Sequence, residues 1–392
     1  MEEQLKVCIA TTNFPRWKGD FRVPFIYEAA RGINKIVDQV TILTMHTPGA
    51  SKHEHFEDIE IFRAQYLPER YELLQKDASG IPEAWRRSFF LKLATIPYLV
   101  SFVRLIGRHA QTADVIHCNW SLSGLAAYLS KWKHKKSYVI TVQGSDIFQT
   151  INIPVVRGMV RLALKKASHI IALSEDLKTG TKKFGIPDEK ITVIPNGVNI
   201  SQFPMGMDEP REAQIIFVGS LIERKGVNFL IEAMSIIHKE CPEAKLLLVG
   251  EGKDREEYER MVSELDLGNS ITFLGTQSQE RVSELLRQSQ LFVLPSIEEG
   301  QGVVLVEALA SGTPCVGSRV GGIPDVISAD VGALVVAGDV KALASAILQY
   351  LKDDHLWSQA SKSARIRAQK MYNWDELAKR IVKVYIQVLK KR

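Results

Sequence analysis

The chain has 392 residues and a net charge of +5, and its 45% hydrophobic and 24% charged content is typical of a soluble globular protein with two domains. The acidic start MEEQLKVCIATT does not resemble a signal peptide and no apolar run reaches the ~18 residues of a membrane span, so we expect a cytoplasmic protein. Residues 1–200 hold 27 Lys and Arg against 19 Asp and Glu, whereas residues 201–392 hold 23 against 26, which predicts an anionic partner for the first half.

Short apolar, β-branched runs alternate with helical patterns along the whole chain. Such runs are typical of strands buried on both faces, as in a parallel sheet covered by helices. The alternation therefore predicts two doubly wound α/β domains. The runs are Val7–Ala10, Val40–Leu43, Val115–His117, Tyr138–Val142, Ile170–Leu173, Ile191–Ile194, Ile215–Val218, Leu246–Val249, Ile271–Leu274, Leu291–Leu294 and Thr313–Val316.

The segment Ala84–His109 is apolar and carries five Lys and Arg residues but no acid. Two interpretations stay open here. A basic helix with aromatic residues can lie on an anionic membrane surface, which would place the protein peripherally on the inner face of the cell membrane. A core-packed helix with a solvated basic edge is the alternative. Pro97 interrupts the pattern and predicts at most two shorter helices.

The segment 201–214 (SQFPMGMDEPREAQ) has prolines, a glycine and charges but no periodicity. We interpret it as a linker, which gives a first domain at 1–200 and a second at 201–372.

The tail 373–392 is predicted to be a helix that belongs with the first domain. Asn373 and Glu376 stand at capping-box spacing, and an apolar stripe follows at helical spacing. The stripe consists of Leu377, Ile381, Tyr385 and Val388.

The most informative stretch follows the predicted strand Leu291–Leu294. A Gly-rich turn (EGQG, 299–302) precedes a helix that begins near Val303. The glycines let the backbone approach a ligand, and the free N–H groups of the new helix suit a diphosphate. Glu299 and Glu307 flank this turn, and carboxylates beside a phosphate indicate sugar hydroxyls as their partners. A solvated helix start with two glutamates is the alternative.

Other turns follow further strands. Gly219–Gly226 (GSLIERKG) supplies Arg224 and Lys225 at the carboxyl end of a predicted parallel strand, where ligands bind in open α/β sheets. Asn196–Asn199 (NGVN) and Gly250–Gly252 (GEG) form turns after two more strands.

The order of these motifs resembles the family-4 retaining glycosyltransferases of GT-B architecture. The motifs are PNGVN-xxx-F, GSL-xx-RKG, GEG, FLG, EG-x-G-xxxx-EA-x-A-x-G-x-P and GGIPD, and they cover nearly the whole chain. The resemblance implies an α/β protein of two facing Rossmann-like domains, with the C-terminal helix crossing back to the first. It also implies retaining transfer of a hexosyl unit from a nucleotide diphosphate sugar to a saccharide or lipid-linked acceptor, in polysaccharide or glycolipid biosynthesis.

The resemblance implies roles for individual donor-site residues. Glu299 matches the glutamate that holds donor-sugar hydroxyls, and Glu307 matches the one that holds the ribose. Lys225 matches the lysine that neutralises the leaving diphosphate, and Arg224 is a second positive charge beside it. Ser220 stands where many members have arginine. The other implied donor-binding positions are Gly300, Gly302 and Val303 at the diphosphate, Gly275 at the nucleobase, Gly19 in the first loop, and Asn196.

In the first half the implied acceptor-side residues are His117 in HCNW and Asp146 in TVQGSD. A packed or capping role for His117 is the alternative. TVQGSD matches T-x-H-G-S-D, but Gln143 replaces the usual histidine. An amide hydrogen-bonds a sugar hydroxyl but carries no proton at neutral pH. This change favours a mechanism in which the leaving phosphate takes the acceptor proton.

We expect no metal and no cofactor beyond the nucleotide sugar. The four cysteines are scattered, and no D-x-D pair or His/Cys ligand cluster stands in a suitable loop. Cations and N–H groups can stabilise the departing diphosphate instead.

Two alternatives share the fold. A sugar-nucleotide epimerase needs acid–base groups that Gln143 does not favour, and a non-catalytic nucleotide-sugar-binding subunit would not need the intact Lys225, Glu299 and Glu307. The positive charge of the first half would suit a nucleic-acid partner, but the sequence has no motif of stacking aromatic residues to support one.

Overall fold

The computed structural model describes residues 5–17, 20, 23–74, 81, 85, 88–148, 153–205 and 212–391. The chain divides into two compact units. The first unit comprises residues 1–196 and 374–392, and the second comprises residues 197–373. The segment 201–214 thus lies within the second unit, and its residues 206–211 are outside the described ones.

The first unit contains an eight-stranded sheet in the order β3-β4-β2-β1-β5-β6-β7-β8. All neighbouring strands are parallel except β3 and β4, which form an antiparallel hairpin at one edge. The strands are β1 (Lys6–Thr11), β2 (Gln39–Met45), β3 (His53–Phe56), β4 (Ile59–Ala64), β5 (Val115–Asn119), β6 (Ser137–Val142), β7 (His169–Ala172) and β8 (Ile191–Val193).

Helices cover both faces of this sheet. They are α1 (Pro24–Asn34), α2 (Phe89–His109), α3 (Ser121–His134), α4 (Ser145–Phe148), α5 (Pro154–Lys166) and α6 (Glu175–Lys182). The packing of β1 explains why its central residues Val7–Ala10 are all apolar. Cys8 and Ala10 pack into one buried cluster, whereas Val7 and Ile9 pack into the cluster on the opposite face. Alternate side chains of a strand point to opposite faces, so a strand covered on both sides is apolar at successive positions and does not alternate with polar residues.

The second unit contains a six-stranded, fully parallel sheet in the order β11-β10-β9-β12-β13-β14. The strands are β9 (Gln214–Val218), β10 (Lys245–Val249), β11 (Ile271–Gly275), β12 (Leu291–Leu294), β13 (Cys315–Ser318) and β14 (Gly332–Val335). The helices are α7 (Val227–Glu240), α8 (Arg255–Glu264), α9 (Gln279–Gln288), α10 (Val303–Ala310), α11 (Ile323–Val326), α12 (Val340–Lys352) and α13 (Asp354–Met371). The strand order reverses between β9 and β12, so the loops that follow these two strands diverge around a crevice, the usual ligand position in such sheets.

The tail forms α14 (Trp374–Lys390), which belongs to the first unit as predicted. Its four stripe residues are all buried there. The helix packs closely on α1, because a Cβ atom added at Gly32 would lie 3.2 Å from the Cβ of Ala378. Lys35, which follows α1 directly, also donates to Asp375 at 2.7 Å.

The prediction of two shorter helices around Pro97 was wrong, because α2 is continuous through that proline. Proline removes the amide that would bond to the carbonyl of Leu93, but Leu93 lies on the exposed side, where water can reach that group. The buried face holds the helix together through Leu91, Ala94, Tyr98, Phe102 and Ile106. Ala84, Arg86 and Arg87 of the predicted segment lie outside the described residues.

Helix α2 is also long and apolar enough to cross a membrane, contrary to the expectation from the sequence. It is the only helix of that kind among the residues that the structure describes. Its buried face lies in the core of the first unit, so we interpret α2 as a packed helix of that unit.

Every predicted strand overlaps an observed one. Sequence analysis missed three strands: β3, β4 and β14.

Candidate functional site

The loops after β9 and β12 bring two of the predicted donor-site residues together in the second unit. Lys225 lies just before α7, and Glu299 lies in the turn before α10. The Lys225 ammonium donates to Oε2 of Glu299 at 2.5 Å. The lysine side chain is 16% exposed and the glutamate side chain 11%, so the pair is well shielded from water.

Two glycines allow the backbone to form this arrangement. Gly226 has φ +66°, and a Cβ atom there would lie 2.1 Å from the carbonyl oxygen of Pro295. Gly321 has φ +53°, and its Cβ atom would lie 1.8 Å from the carbonyl oxygen of Glu299. Any other residue at either position would therefore be strained and would push the loops apart. The amide of Gly322 donates to the same Glu299 carbonyl at 3.1 Å, which fixes the backbone at Glu299.

The Glu299 carboxylate is stabilised in its charged form. Burial raises its pKa, but the charge and hydrogen bond of Lys225, the charge of Arg224 and the amide of Gly300 outweigh burial, so its pKa lies below the ordinary value. The Gly300 amide donates to Oε1 at 3.1 Å. Arg224 itself is about one third exposed and lies 3.9 Å from Glu298. It therefore acts on Glu299 through its charge, while its guanidinium donates to the backbone carbonyl of Glu298 at 3.3 Å.

The turn at 299–302 ends at the N-terminus of α10. Gly302 and Gln301 are buried, and Val303 begins the helix half-buried. The first amides of a helix have no intrahelical acceptor, and the helix dipole makes this end positive. The Gly300 amide donates to Glu299, and the amides of Gly302 and Val303 lie at this positive helix end, so the diphosphate site stays a prediction.

Glu307 lies one turn further along α10, on the side of the loop after β11. Its side chain hydrogen-bonds Gln279, the first residue of α9. Burial raises the pKa of Glu307 to about 8, and the bond to Gln279 only partly opposes this shift. Gly275 ends β11 at the start of the same loop. Glu307 thus contacts the start of the helix that follows β11, whereas Glu299 contacts Lys225. Ser220, after β9, is exposed.

In the first unit, His117 is an interior residue. It is 4% exposed, its Nδ1 lies 2.6 Å from the hydroxyl of Tyr385 in α14, and its Nε2 lies 2.7 Å from Oγ1 of Thr141. Burial lowers its pKa to about 4, so the ring is neutral at physiological pH. Because both ring nitrogens already have partners, these contacts favour the packed alternative over acceptor binding.

Asp146 is also buried and bonded to the backbone. Its carboxylate accepts from the amides of Gln143 at 3.0 Å, Gly144 at 3.1 Å and Ser121 at 2.9 Å. Burial raises its pKa, and these amides oppose the shift. The carboxylate thus shapes the turn that carries Gln143 and is committed to it, which favours a positioning role over direct acceptor binding. The side chain of Gln143 is half-buried, and its amide nitrogen Nε2 donates to Oδ1 of Asn119 at 3.1 Å.

One predicted donor residue, Asn196, lies outside the second unit. Asn196 belongs to the first unit, where it lines a cavity of about 20 Å³, room for about one water, together with Asn119, Thr141 and His117. The other donor residues that the structure describes lie in the second unit. Gly19 lies outside the described residues.

Sequence analysis missed several supporting residues. Arg63 of β4 is buried and donates to the carbonyl of Pro15 at 2.7 Å, and Arg16 pairs with Asp20 at 2.8 Å, so both brace the loop after β1. Gln279, the partner of Glu307, and Tyr385, the partner of His117, were missed as well. Apart from the local pair Arg16–Asp20, these contacts join segments that are distant in sequence and that only the fold brings together.

Comparison with known proteins agrees with this architecture. A family model described as glycosyl transferases group 1 matches residues 207–371, and one described as Glycosyltransferase Family 4 matches residues 24–202. An uncharacterized glycosyltransferase of Methanocaldococcus jannaschii is 30% identical, over 69% of this chain and 75% of that protein. The chain belongs to the group 1 glycosyltransferases.

Other relatives of this glycosyltransferase carry more specific names. N-acetyl-alpha-D-glucosaminyl L-malate synthase of Bacillus anthracis is 29% identical, over 75% of this chain and 80% of that protein. Phosphatidyl-myo-inositol mannosyltransferase of Mycobacterium leprae is 30% identical, over 69% of this chain and 73% of that protein.

Solved structures show the same fold. Sucrose-phosphate synthase of Thermosynechococcus elongatus has a TM-score of 0.79 at 23% identity, covering 99% of this chain and all of that one. Anabaena HepE in complex with UDP-glucose has a TM-score of 0.73 at 18% identity, and the match covers 98% of this chain and 100% of that chain. At these identities the likeness establishes the GT-B fold of the glycosyltransferase.

Proposed function

We propose that the protein is a retaining hexosyltransferase that transfers a sugar from a nucleotide diphosphate donor, held by the second unit, to a saccharide or lipid-linked acceptor. The observation that carries this proposal is the shielded Lys225–Glu299 pair at the N-terminus of α10. A buried cation beside free helix amides suits a diphosphate, and a carboxylate at the same point suits sugar hydroxyls.

We expect the parts of a nucleotide sugar to lie along the site in their chemical order. Gly275 would face the nucleobase and Glu307 the ribose. The amides of Gly302 and Val303, with Lys225, would hold the diphosphate, and Glu299 would hold the transferred sugar. The HepE structures that contain UDP, and UDP with glucose, support a uridine donor as the first to test.

In the proposed reaction, the bond between the anomeric carbon and the diphosphate oxygen breaks while the acceptor oxygen bonds to the same face of that carbon. The acceptor proton passes to the departing phosphate oxygen. Negative charge grows on the diphosphate as the bond breaks, so Lys225 and the helix amides stabilise the transition state more than the bound donor. Gln143 fits this scheme because a side-chain amide does not act as a proton-accepting base at neutral pH. Retention itself is carried over from the family-4 resemblance.

We also propose that the chemistry needs no metal and no cofactor besides the donor. Lys225, the nearby Arg224 and the positive end of α10 together supply the charge that a divalent cation provides in other nucleotide-dependent enzymes.

For the acceptor side, we propose contact with an anionic membrane through the helices α2, α3 and α5. These three helices carry nine Lys and Arg residues and no Asp or Glu. Helix α3 packs between the other two. Large apolar side chains on all three are solvent-exposed, including Phe89 at 73%, Ile96 at 63%, Trp132 at 73% and Val155 at 69%. An apolar surface with a basic surround is the combination that binds anionic bilayers.

The enzymatic proposal is tested by incubating the protein with labelled UDP-, GDP- and ADP-sugars and a panel of glycan and lipid acceptors. A transfer product with the donor's anomeric configuration, assigned by NMR, supports it. Release of an epimer would instead favour a sugar-nucleotide epimerase. Tight donor binding with neither product would favour a non-catalytic subunit.

The membrane proposal is tested by co-sedimentation with vesicles. We expect binding to vesicles rich in phosphatidylglycerol and not to pure phosphatidylcholine, and loss of binding in Trp132→Ser. The matched control is Met371→Ser, which removes an exposed apolar side chain of the second unit. Equal binding of both variants would contradict the proposal.

A further inference from the structure

We propose that the β3–β4 hairpin carries a binding site for a divalent transition-metal ion, of which zinc is the probe to use, formed by His53, His55 and Glu60. One ligand atom from each of these residues lies within 4.8 Å of the others. The site is separate from the groups described above. Strand β3 is the outermost strand of the sheet, and β4, β2 and β1 lie between it and β5, which carries His117.

Strand geometry places the three side chains on one face. His53 and His55 are two residues apart, so they point the same way from β3. Glu60 pairs directly with His55 across the hairpin and is therefore diagonal to His53. Such cross-strand neighbours are close enough for their side chains to interact.

The distances suit one ion. Nε2 of His53 lies 3.0 Å from Oε1 of Glu60. Two ligands bound tetrahedrally to zinc at ~2.0–2.1 Å stand about 3.3 Å apart, so this pair is already near the required spacing. His55 is exposed on the same face, so its ring has room to rotate toward the pair.

The His53 ring is held in place before any ion binds. It stacks on Phe62, its cross-strand partner, with ring centroids 4.4 Å apart and planes within 1°. Phe62 is itself backed by His109 of α2, with centroids 3.9 Å apart. A fixed first ligand reduces the entropy lost when the ion is bound. Preorganised ligands distinguish this cluster from a surface ion pair, which contributes little.

The donor set indicates the class of ion. Two imidazoles and one carboxylate suit Zn²⁺, Cu²⁺ or Ni²⁺, whereas Mg²⁺ and Ca²⁺ prefer all-oxygen sites. Three protein ligands on an exposed face leave a fourth position for water. The bound ion would link β3 to β4 at the edge of the sheet.

The test is calorimetric titration of the full chain, purified without a polyhistidine tag and stripped with a chelator, with zinc chloride at about pH 7.5. All four cysteines are buried, so they do not compete in the folded protein. We expect one saturable equivalent of zinc. His55→Ala and Glu60→Gln should each weaken binding tenfold or more, and His355→Ala, which removes an exposed histidine elsewhere, should not.

Absence of saturable binding in the wild type, or equal binding by wild type, His55→Ala and Glu60→Gln, would overturn the proposal. Sugar transfer is measured separately, so neither result bears on the proposed enzymatic function.

Discussion

Glu307 gives the most quantitative prediction, because burial raises its pKa from the ordinary 4.5 to about 8. Between pH 4.5 and about pH 8, Glu307 keeps its proton in the folded protein but has lost it in the unfolded chain. The folded state therefore binds more protons than the unfolded state, and stability must fall as pH rises through this interval. Glu307→Gln removes the titration and keeps a side chain of the same shape that can still bond Gln279.

The size of the effect follows from the shift. One pKa unit corresponds to about 1.4 kcal/mol, so from about pH 5.5 to about pH 7.5 the wild type should lose at most about 3 kcal/mol relative to the variant. The Glu307 side chain is partly exposed, and water that reaches it screens the effect. We therefore expect a loss of about 1–2 kcal/mol over this interval.

The assay must report on the second unit alone. Trp357 is the only tryptophan among residues 197–373, and its indole donates to Gln290 at 2.8 Å. Urea unfolding followed by the ¹⁹F resonance of fluorotryptophan at this position isolates that unit. The control is Glu264→Gln, which removes an exposed carboxylate of the same unit. A stability difference that stays flat from pH 5.5 to 7.5, or that Glu264→Gln reproduces, would refute the argument about burial.

The remaining predictions concern activity and assembly. Lys225→Ala should lower kcat by about 10²–10³ with a smaller change in donor KM, because the diphosphate charge grows in the transition state; a change confined to KM would contradict this. Transfer activity should survive excess chelator, and a loss that magnesium restores would overturn metal independence. A chain that ends at Tyr372 should be poorly soluble or much less active, because it exposes the surface that α14 covers in the first unit. If that truncated chain were soluble, monomeric and fully active, α14 would be an appendage.

The strands and the donor motifs were predictable because they depend on local patterns. Val7–Ala10 is apolar at every position, and that alone indicates burial on both faces. The Gly-rich turn at 299–302 marks a helix start and a ligand loop wherever it occurs. The position of these turns at strand ends needed only chain order and the rules of open α/β sheets. The pairing of Lys225 with Glu299 was not predicted, because it depends on the strand order that places β9 beside β12.

Other features depend on contacts that no local pattern encodes. His117 at a strand end fitted both a site and a packed residue, and its contacts with Thr141 and with Tyr385, 268 positions later, favour the packed role. Pro97 ordinarily stops a helix, but here the buried face of α2 outweighs the loss of one hydrogen bond. The sequence His53-Glu54-His55 alternates polar residues in a way that suits an exposed loop as well as an edge strand. Its partner Glu60 becomes visible only in the hairpin register.

The central claim is that the second unit holds a nucleotide sugar with Glu307 at the ribose. The most direct test is a thermal-shift screen of uridine, guanosine and adenosine diphosphate sugars, followed by calorimetric titration of the best one into wild type and Glu307→Ala. We predict that one nucleotide class raises the melting temperature, and that the variant stays folded but binds this donor at least tenfold more weakly. If no nucleotide sugar stabilises the wild type, or if Glu307→Ala binds the donor as tightly as the wild type, the assignment of this donor site is wrong.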